Sequence, residues 1–138
     1  MLHWFGPWII HGRFTPHLKS LLSEDREFII CADWNTCHQN IDLKNWRNNQ
    51  KNSGFMPYER EWLTHLYEEQ GWVDAFREFT SEPEQYTWWS NRGQAWANNT
   101  GWRLDYMLVS PGLSGRAREV AVYKETRFSD HAPVIIDF

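Results

Sequence analysis

Trp102-Arg103-Leu104-Asp105-Tyr106-Met107-Leu108-Val109 reads as a strand with a carboxylate set among apolar neighbours, and the rest of the chain is read outward from it. Two other runs share its character. Phe28-Ile29-Ile30-Cys31-Ala32 leads into Asp33-Trp34-Asn35, and Ser129-Asp130-His131-Ala132-Pro133 opens onto Val134-Ile135-Ile136. A carboxylate beside a buried strand is desolvated and needs a partner or a cation. Any one of them alone is an ordinary turn residue. Three acidic strand ends together with a His and an Asn point to a shared metal ion and to phosphodiester chemistry.

The segments between these strands predict an α/β chain with a mixed sheet and helices on one face. Residues 15–23 read as a short helix with Leu18, Leu21 and Leu22 on one side, followed by the strand at 28–32. Residues 35–53 are polar and Asn-rich and read as one long loop bordering the site. Pro57 is placed to open the best helix in the chain. Met56 stands at its N-cap, Glu59 and Glu61 near its positive end, and Trp62, Leu63, Leu66 and Tyr67 form a stripe before Gly71 stops it. Residues 72–79 read as a short turn or strand, 86–90 as a strand and 91–101 as a polar loop. Residues 102–109, 120–123 and 132–138 complete a strand-rich second half.

At 138 residues the chain fits one domain with a real core. It is 17% aromatic with ten Trp, which excludes a disordered chain and leaves rings available for a ligand as well as for packing. The net charge of −4 argues against binding to a polyanion by bulk charge, but the charges are split. Glu59, Glu61, Glu68, Glu69, Glu78, Glu82 and Glu84 precede a basic stretch of Arg92, Arg103, Arg116, Arg118, Lys124 and Arg127 on which a polyanion could dock. Cys31 and Cys37 lack the CxxC spacing, so neither a disulfide nor a zinc site is expected, and a reducing, cytoplasmic setting fits. The apolar start, Met1 to Ile10, has no basic flank and is broken by Gly6-Pro7, which makes a poor signal peptide. No run approaches the roughly 18 apolar residues of a membrane span.

From about His17 to Phe138 the chain resembles the exonuclease III family of abasic-site endonucleases, within the endonuclease/exonuclease/phosphatase superfamily; residues 1–16 match nothing in it. The resemblance rests on Ala32-Asp33-Trp34-Asn35, Ile41-Asp42-Leu43-Lys44-Asn45, and Asn52-Ser53-Gly54-Phe55 with Pro57, Glu59-Arg60 and Trp62. It continues through Gly71-Trp72-Val73-Asp74-Ala75-Phe76-Arg77, Tyr86-Thr87-Trp88-Trp89-Ser90, Gly101-Trp102-Arg103-Leu104-Asp105-Tyr106 and Ser129-Asp130-His131. Each piece is weak alone; seven in order are specific. The resemblance implies that Asp33 positions the attacking water or protonates the leaving 3′ oxygen and that Asn35 donates to the scissile phosphate. It makes His131, oriented by Asp105, a phosphate contact or general base, and it assigns Mg²⁺ (Mn²⁺ as the alternative) to Asp130 with His131. Trp88, Trp102 and Leu104 match the family's apolar pocket for the base-less sugar. Strand period puts Trp102 and Leu104 on one face and Asp105 on the other, so pocket and catalytic group meet only if the strand ends or twists there.

The implied architecture is half of a four-layered α/β sandwich, residues 17–138 being the C-terminal part. The family's earlier half, with a Glu metal ligand, an Asn and a Tyr of the site, has no counterpart in this sequence. The expectation is therefore a half-built metal site of reduced activity and a sheet with an exposed apolar face. That face would be covered by a second copy of the chain or by a separate N-terminal half. The implied substrate is duplex DNA with an abasic site or a 3′ end. Two other readings stay open: an inactive remnant that binds DNA or a partner without cutting, and a phosphatase or sphingomyelinase relative that ignores DNA.

Overall fold

The computed structural model describes residues 10–138; most of the N-terminal stretch read as a poor leader, residues 1–9, lies outside them. After a π-helical turn at Ile10–Phe14 come α1 (Thr15–Leu21) and β1 (Ile29–Asp33), then a 3-10 turn at Asn40–Asp42 and α2 (Trp46–Asn49). Helix α3 (Pro57–His65) runs on as a π turn over Leu66–Gln70, followed by β2 (Val73–Asp74) and α4 (Ala75–Phe79). The second half holds β3 (Trp88–Trp89), β4 (Gly101–Trp102), β5 (Asp105–Val109), a 3-10 turn at Pro111–Leu113, β6 (Glu119–Val122) and β7 (Val134–Asp137). Among the described residues no helix is long and apolar enough to cross a membrane.

The α/β class holds. The described strands form three small antiparallel sheets, β1-β5-β2, β3-β4 and β6-β7, where the sequence predicts one mixed sheet. Helix α3 follows its sequence closely. Met56 is extended and caps nothing with its side chain, but Glu59 Oε2 reaches back to accept from the amides of Met56 (2.9 Å) and Gly54 (2.7 Å). That return contact supplies an acceptor for donors which every helix start leaves unmet. Gly71 ends the helical run in the left-handed conformation, φ 95°, its amide bonded to the Leu66 carbonyl.

The stripe of α3 buries Trp62, Leu63 and Leu66 against Leu18, Trp34, Trp72, Tyr106 and Leu108. Trp62 Nε1 donates to Thr15 Oγ1 at 2.9 Å, which ties α3 to α1. Sheet alternation does the rest: Tyr106, Leu108 and Ile30 face this helical layer, whereas Ile29, Cys31, Met107, Asp33 and Asp105 point the other way. Along β1 that second face is open, with Cys31 exposed and Ile29 46% exposed, whereas Val109 on the same face of β5 is buried.

Besides the run 102–109, two segments depart from their sequence reading. Residues 35–53 are a built segment containing a 3-10 turn and a helix, with Cys37, Asp42 and Leu43 all buried. Residues 72–79 are two residues of strand and then α4, whose first turn is capped by Asp74 Oδ1 accepting from the Arg77 amide at 3.3 Å.

A buried ion network explains both. Arg103 and Asp42 are each 1% exposed. The guanidinium donates to Asp42 Oδ1 (2.8 Å) and to both oxygens of Asp74 (3.2 and 2.6 Å), while Arg77 adds two bonds to Asp42 Oδ1 (3.1 and 3.0 Å). Burial alone would push the Asp42 carboxyl up, but the charge and hydrogen bonds of Arg103, with Arg77, hold it below the usual carboxylate range. Arg103 is therefore no part of a basic docking surface, although the sequence places it among the cations of the second half.

The same residue marks where the long strand breaks. The run 102–109 is two strands, β4 pairing with β3 and β5 with β1. At the break the Arg103 amide donates to the Asp42 carbonyl (2.7 Å), and the Leu104 carbonyl accepts from Trp34 (2.8 Å). This is the strand end that the alternation argument requires for a pocket and a catalytic group to meet.

Candidate active site

Asp33 is the last residue of β1 and Asp105 the first of β5, and the two lie opposite each other in the antiparallel register. His131 comes from the turn before β7, held by a bridge to Trp88 and by the Ala132 amide bonding the Thr87 carbonyl at 2.8 Å. Its Nδ1 lies 2.9 and 3.2 Å from the Asp105 oxygens, and its Nε2 lies 3.8 Å from Asp33 Oδ2. With a carboxylate as partner Nδ1 carries the proton, which leaves Nε2 turned to the Asp33 side.

Asp33, Asp105 and His131 bring one ligand atom each within 4.8 Å of one another. Partial burial, with the neighbouring Asp105 and Asp130 carboxylates, pushes the Asp33 carboxyl up, against the opposing pull of the Asn35 amide and His131. For His131 burial acts to lower the imidazole, but the Asp105 hydrogen bond and charge, with Asp33 and Asp130, outweigh it and raise it above its ordinary value.

Asn35 sits at φ 50°, a left-handed conformation that Asn tolerates, and its amide donates to Asp33 Oδ1 at 2.8 Å. Among the described residues its side-chain amide has no hydrogen-bond partner. Asp130 is adjacent to His131 yet outside the three-residue cluster: its Oδ2 accepts from Trp88 Nε1 at 3.1 Å and its carbonyl from the Trp89 amide.

Trp88 and Trp102 are half-buried and meet edge to face at 6.3 Å, and Leu104 is buried beneath them with Cys37, Leu43 and Phe55. The three residues assigned to a pocket thus share one cluster, and the Trp88 indole links it to Asp130. Gly54 is needed there. Its φ is 96°, and a Cβ would come within 3.0 Å of the Trp102 ring.

One residue of the site was not singled out by sequence: Thr87. Its hydroxyl donates to Asp105 Oδ2 at 2.6 Å and accepts from the amides of Leu104 (3.0 Å) and Asp105 (3.1 Å). It lies inside the Tyr86-Thr87-Trp88-Trp89-Ser90 motif, but no local pattern distinguishes it from a strand Thr.

The class this defines is an α/β scaffold that gathers strand-end carboxylates and an imidazole beside a small aromatic cluster. The Endonuclease/Exonuclease/phosphatase family matches residues 7–131, and the chain belongs to that family. It is similar to an exodeoxyribonuclease of Bacillus subtilis, 41% identical over 114 residues, which are 82% of this chain and 45% of that protein. The DNA repair nuclease APEX1 of Danio rerio is 39% identical over 116 residues, 83% of this chain and 37% of that protein. Among solved structures, the 3′ phosphatase NExo from Neisseria bound to a product DNA hairpin superposes with a TM-score of 0.86 at 27% identity, covering 92% of this chain and 51% of that one. The chain thus spans about half the length, or less, of the relatives it matches.

Proposed function

We propose that this chain carries the chemistry of a DNA-repair phosphodiesterase of exodeoxyribonuclease III or AP endonuclease type, hydrolysing the backbone of duplex DNA at abasic sites and 3′ ends. The observation that carries this reading is the Asp105–His131–Asp33 alignment, in which one carboxylate orients the imidazole and the other faces its free nitrogen.

A phosphodiester is anionic, so its hydrolysis needs charge neutralisation, a positioned water and proton transfer. Asp33, with its raised proton affinity, positions the water or returns a proton to the leaving 3′ oxygen. His131, held by Asp105 and raised toward the imidazolium, contacts the phosphate through Nε2. Asn35 offers its unpartnered amide to the same phosphate. Trp88 and Trp102 supply apolar faces for the base-less sugar, as their half-exposure and contact with Leu104 support.

The residues fit a hard divalent cation, because Asp33 and Asp105 meet at a single imidazole with Asp130 next to it in the chain, and burial together with these like-charged neighbours raises Asp33. Asp130 and Asp33 offer the oxygens that Mg²⁺ or Mn²⁺ takes, and they suit such an ion better than the His131 nitrogen. When bound, the cation would neutralise charge on the phosphate.

A second reading is favoured by the open face of β1, where Ile29 and Cys31 lie exposed next to Asp33. That face would be covered by a second copy or by a separate N-terminal half, and an isolated copy would bind DNA without cutting it. Two free cysteines suit a reducing, cytoplasmic setting for either reading.

The test is incision of duplex DNA carrying one abasic site, with Mg²⁺ and with chelator, beside an Asp33→Asn control. Metal-dependent cutting that the substitution abolishes supports the enzyme; a folded, DNA-binding protein that cuts nothing supports the second reading. Sedimentation as a stable, well-folded monomer would sink the paired-copy form.

A further inference from the structure

We propose that Thr87 is the positioning residue of this site, its hydroxyl locking the Asp105 carboxylate so that His131 keeps its proton on Nδ1 and turns Nε2 toward Asp33. Thr87 is 1% exposed. A hydroxyl has one proton and two lone pairs. Both lone pairs are taken by the amides of Leu104 and Asp105, so the proton is left with Asp105 Oδ2, 2.6 Å away. Its direction is thereby forced, and with it the orientation of the carboxylate.

The backbone of Thr87 fixes the other side of the pair. Its amide donates to the Trp102 carbonyl (2.9 Å), and its carbonyl accepts from Ala132 (2.8 Å), the residue after His131. One buried residue therefore joins the strand break that presents Asp105 to the turn that presents His131. Asp105 Oδ2 receives both the Thr87 hydroxyl and the His131 Nδ1 proton, and losing the first leaves that carboxylate free to rotate away from the second.

The role in turnover rests on the phosphodiesterase reading; the effect on the imidazole does not, and the experiment separates them. Thr87→Val keeps the shape and removes the hydroxyl, whereas Thr87→Ser keeps the hydroxyl. With chelator present and at one pH where His131 is neutral, the imidazole nitrogen shifts of wild type and Thr87→Ser should report a single Nδ1–H tautomer. Thr87→Val should report a mixture.

With Mg²⁺ and abasic duplex, Thr87→Val should lose about 10-fold or more in kcat with KM within about twofold, and Thr87→Ser should recover most of it. If Thr87→Val does not fold, Thr87→Cys, of similar size and with only a weak donor, takes its place in both measurements. A folded hydroxyl-free variant with the wild-type tautomer overturns the proposal whether or not the wild type cuts DNA. A wild type that cuts nothing while the tautomer shifts as expected overturns the enzyme reading alone.

Discussion

Two clusters of acids flank the break between β4 and β5, and they are built in opposite ways. On one side Asp42 and Asp74 are buried and matched by Arg103 and Arg77, and Asp42 is held below its usual range. On the other, Asp33 and Asp105 share one partly exposed imidazole, with Asp130 beside it in the chain, and Asp33 is pushed up. The first cluster is compensated and holds the break together; the second carries surplus negative charge and the Asn35 side-chain amide, which has no partner among the described residues. Residues of one chemical type thus divide into structure and site according to whether their counter-charge lies within the fold.

Emptying the compensated cluster should have the largest effect. Arg103→Met leaves buried Asp74 without its counter-charge and Asp42 with Arg77 alone, and should cost about 3–5 kcal/mol in chemical denaturation; a loss under about 1 kcal/mol would mean the network is not what holds the break. Asp33→Asn should do the reverse. Stability should hold or rise slightly, while incision falls by about 10²–10⁴-fold, the range for losing a proton-transfer group. A large drop in melting temperature would erase the distinction between the clusters.

Divalent cations should also tell them apart. At ten times its Kd, Mg²⁺ should stabilise the wild type by RT ln 11, about 1.4 kcal/mol, seen as a rise in denaturation midpoint. The gain should vanish in Asp33→Asn with Asp130→Asn and be unchanged by surface substitutions elsewhere.

The smallest effect is the pH dependence in chelator. His131 is raised on folding, so its contribution is complete below its ordinary value of 6.5 and is lost as pH rises through the higher folded value. Being a third exposed, it should contribute at most about 1 kcal/mol after solvent screening. His131→Asn should flatten stability over that window. Asp42 has the opposite sign: its contribution is complete above its ordinary 3.8 and is lost as pH falls through its lower folded value.

Much of the site was legible because its members sit at the ends of apolar runs. Asp33, Asp105 and His131, which the structure brings together, all carry that pattern, and the order of short motifs is what suggests the roles proposed for them. Helix α3 was legible for a similar reason: Pro57, Glu59, the Trp62-Leu63-Leu66 stripe and Gly71 are all local signals. Thr87 and the ion network were not. Arg103 finds Asp42 and Asp74 at separations of 61 and 29 residues, so nothing near it in sequence marks it as buried.

By itself, then, the sequence determined the α/β class, the helix that carries the core and the identity of the charged strand ends, since each depends on residues within a few positions of one another. Only the tertiary structure decided that the run 102–109 is two strands, that residues 35–53 are anchored, and that Thr87 holds Asp105 to His131. Each of these depends on hydrogen bonds and ion pairs between segments far apart in the chain, and local periodicity carries no record of them.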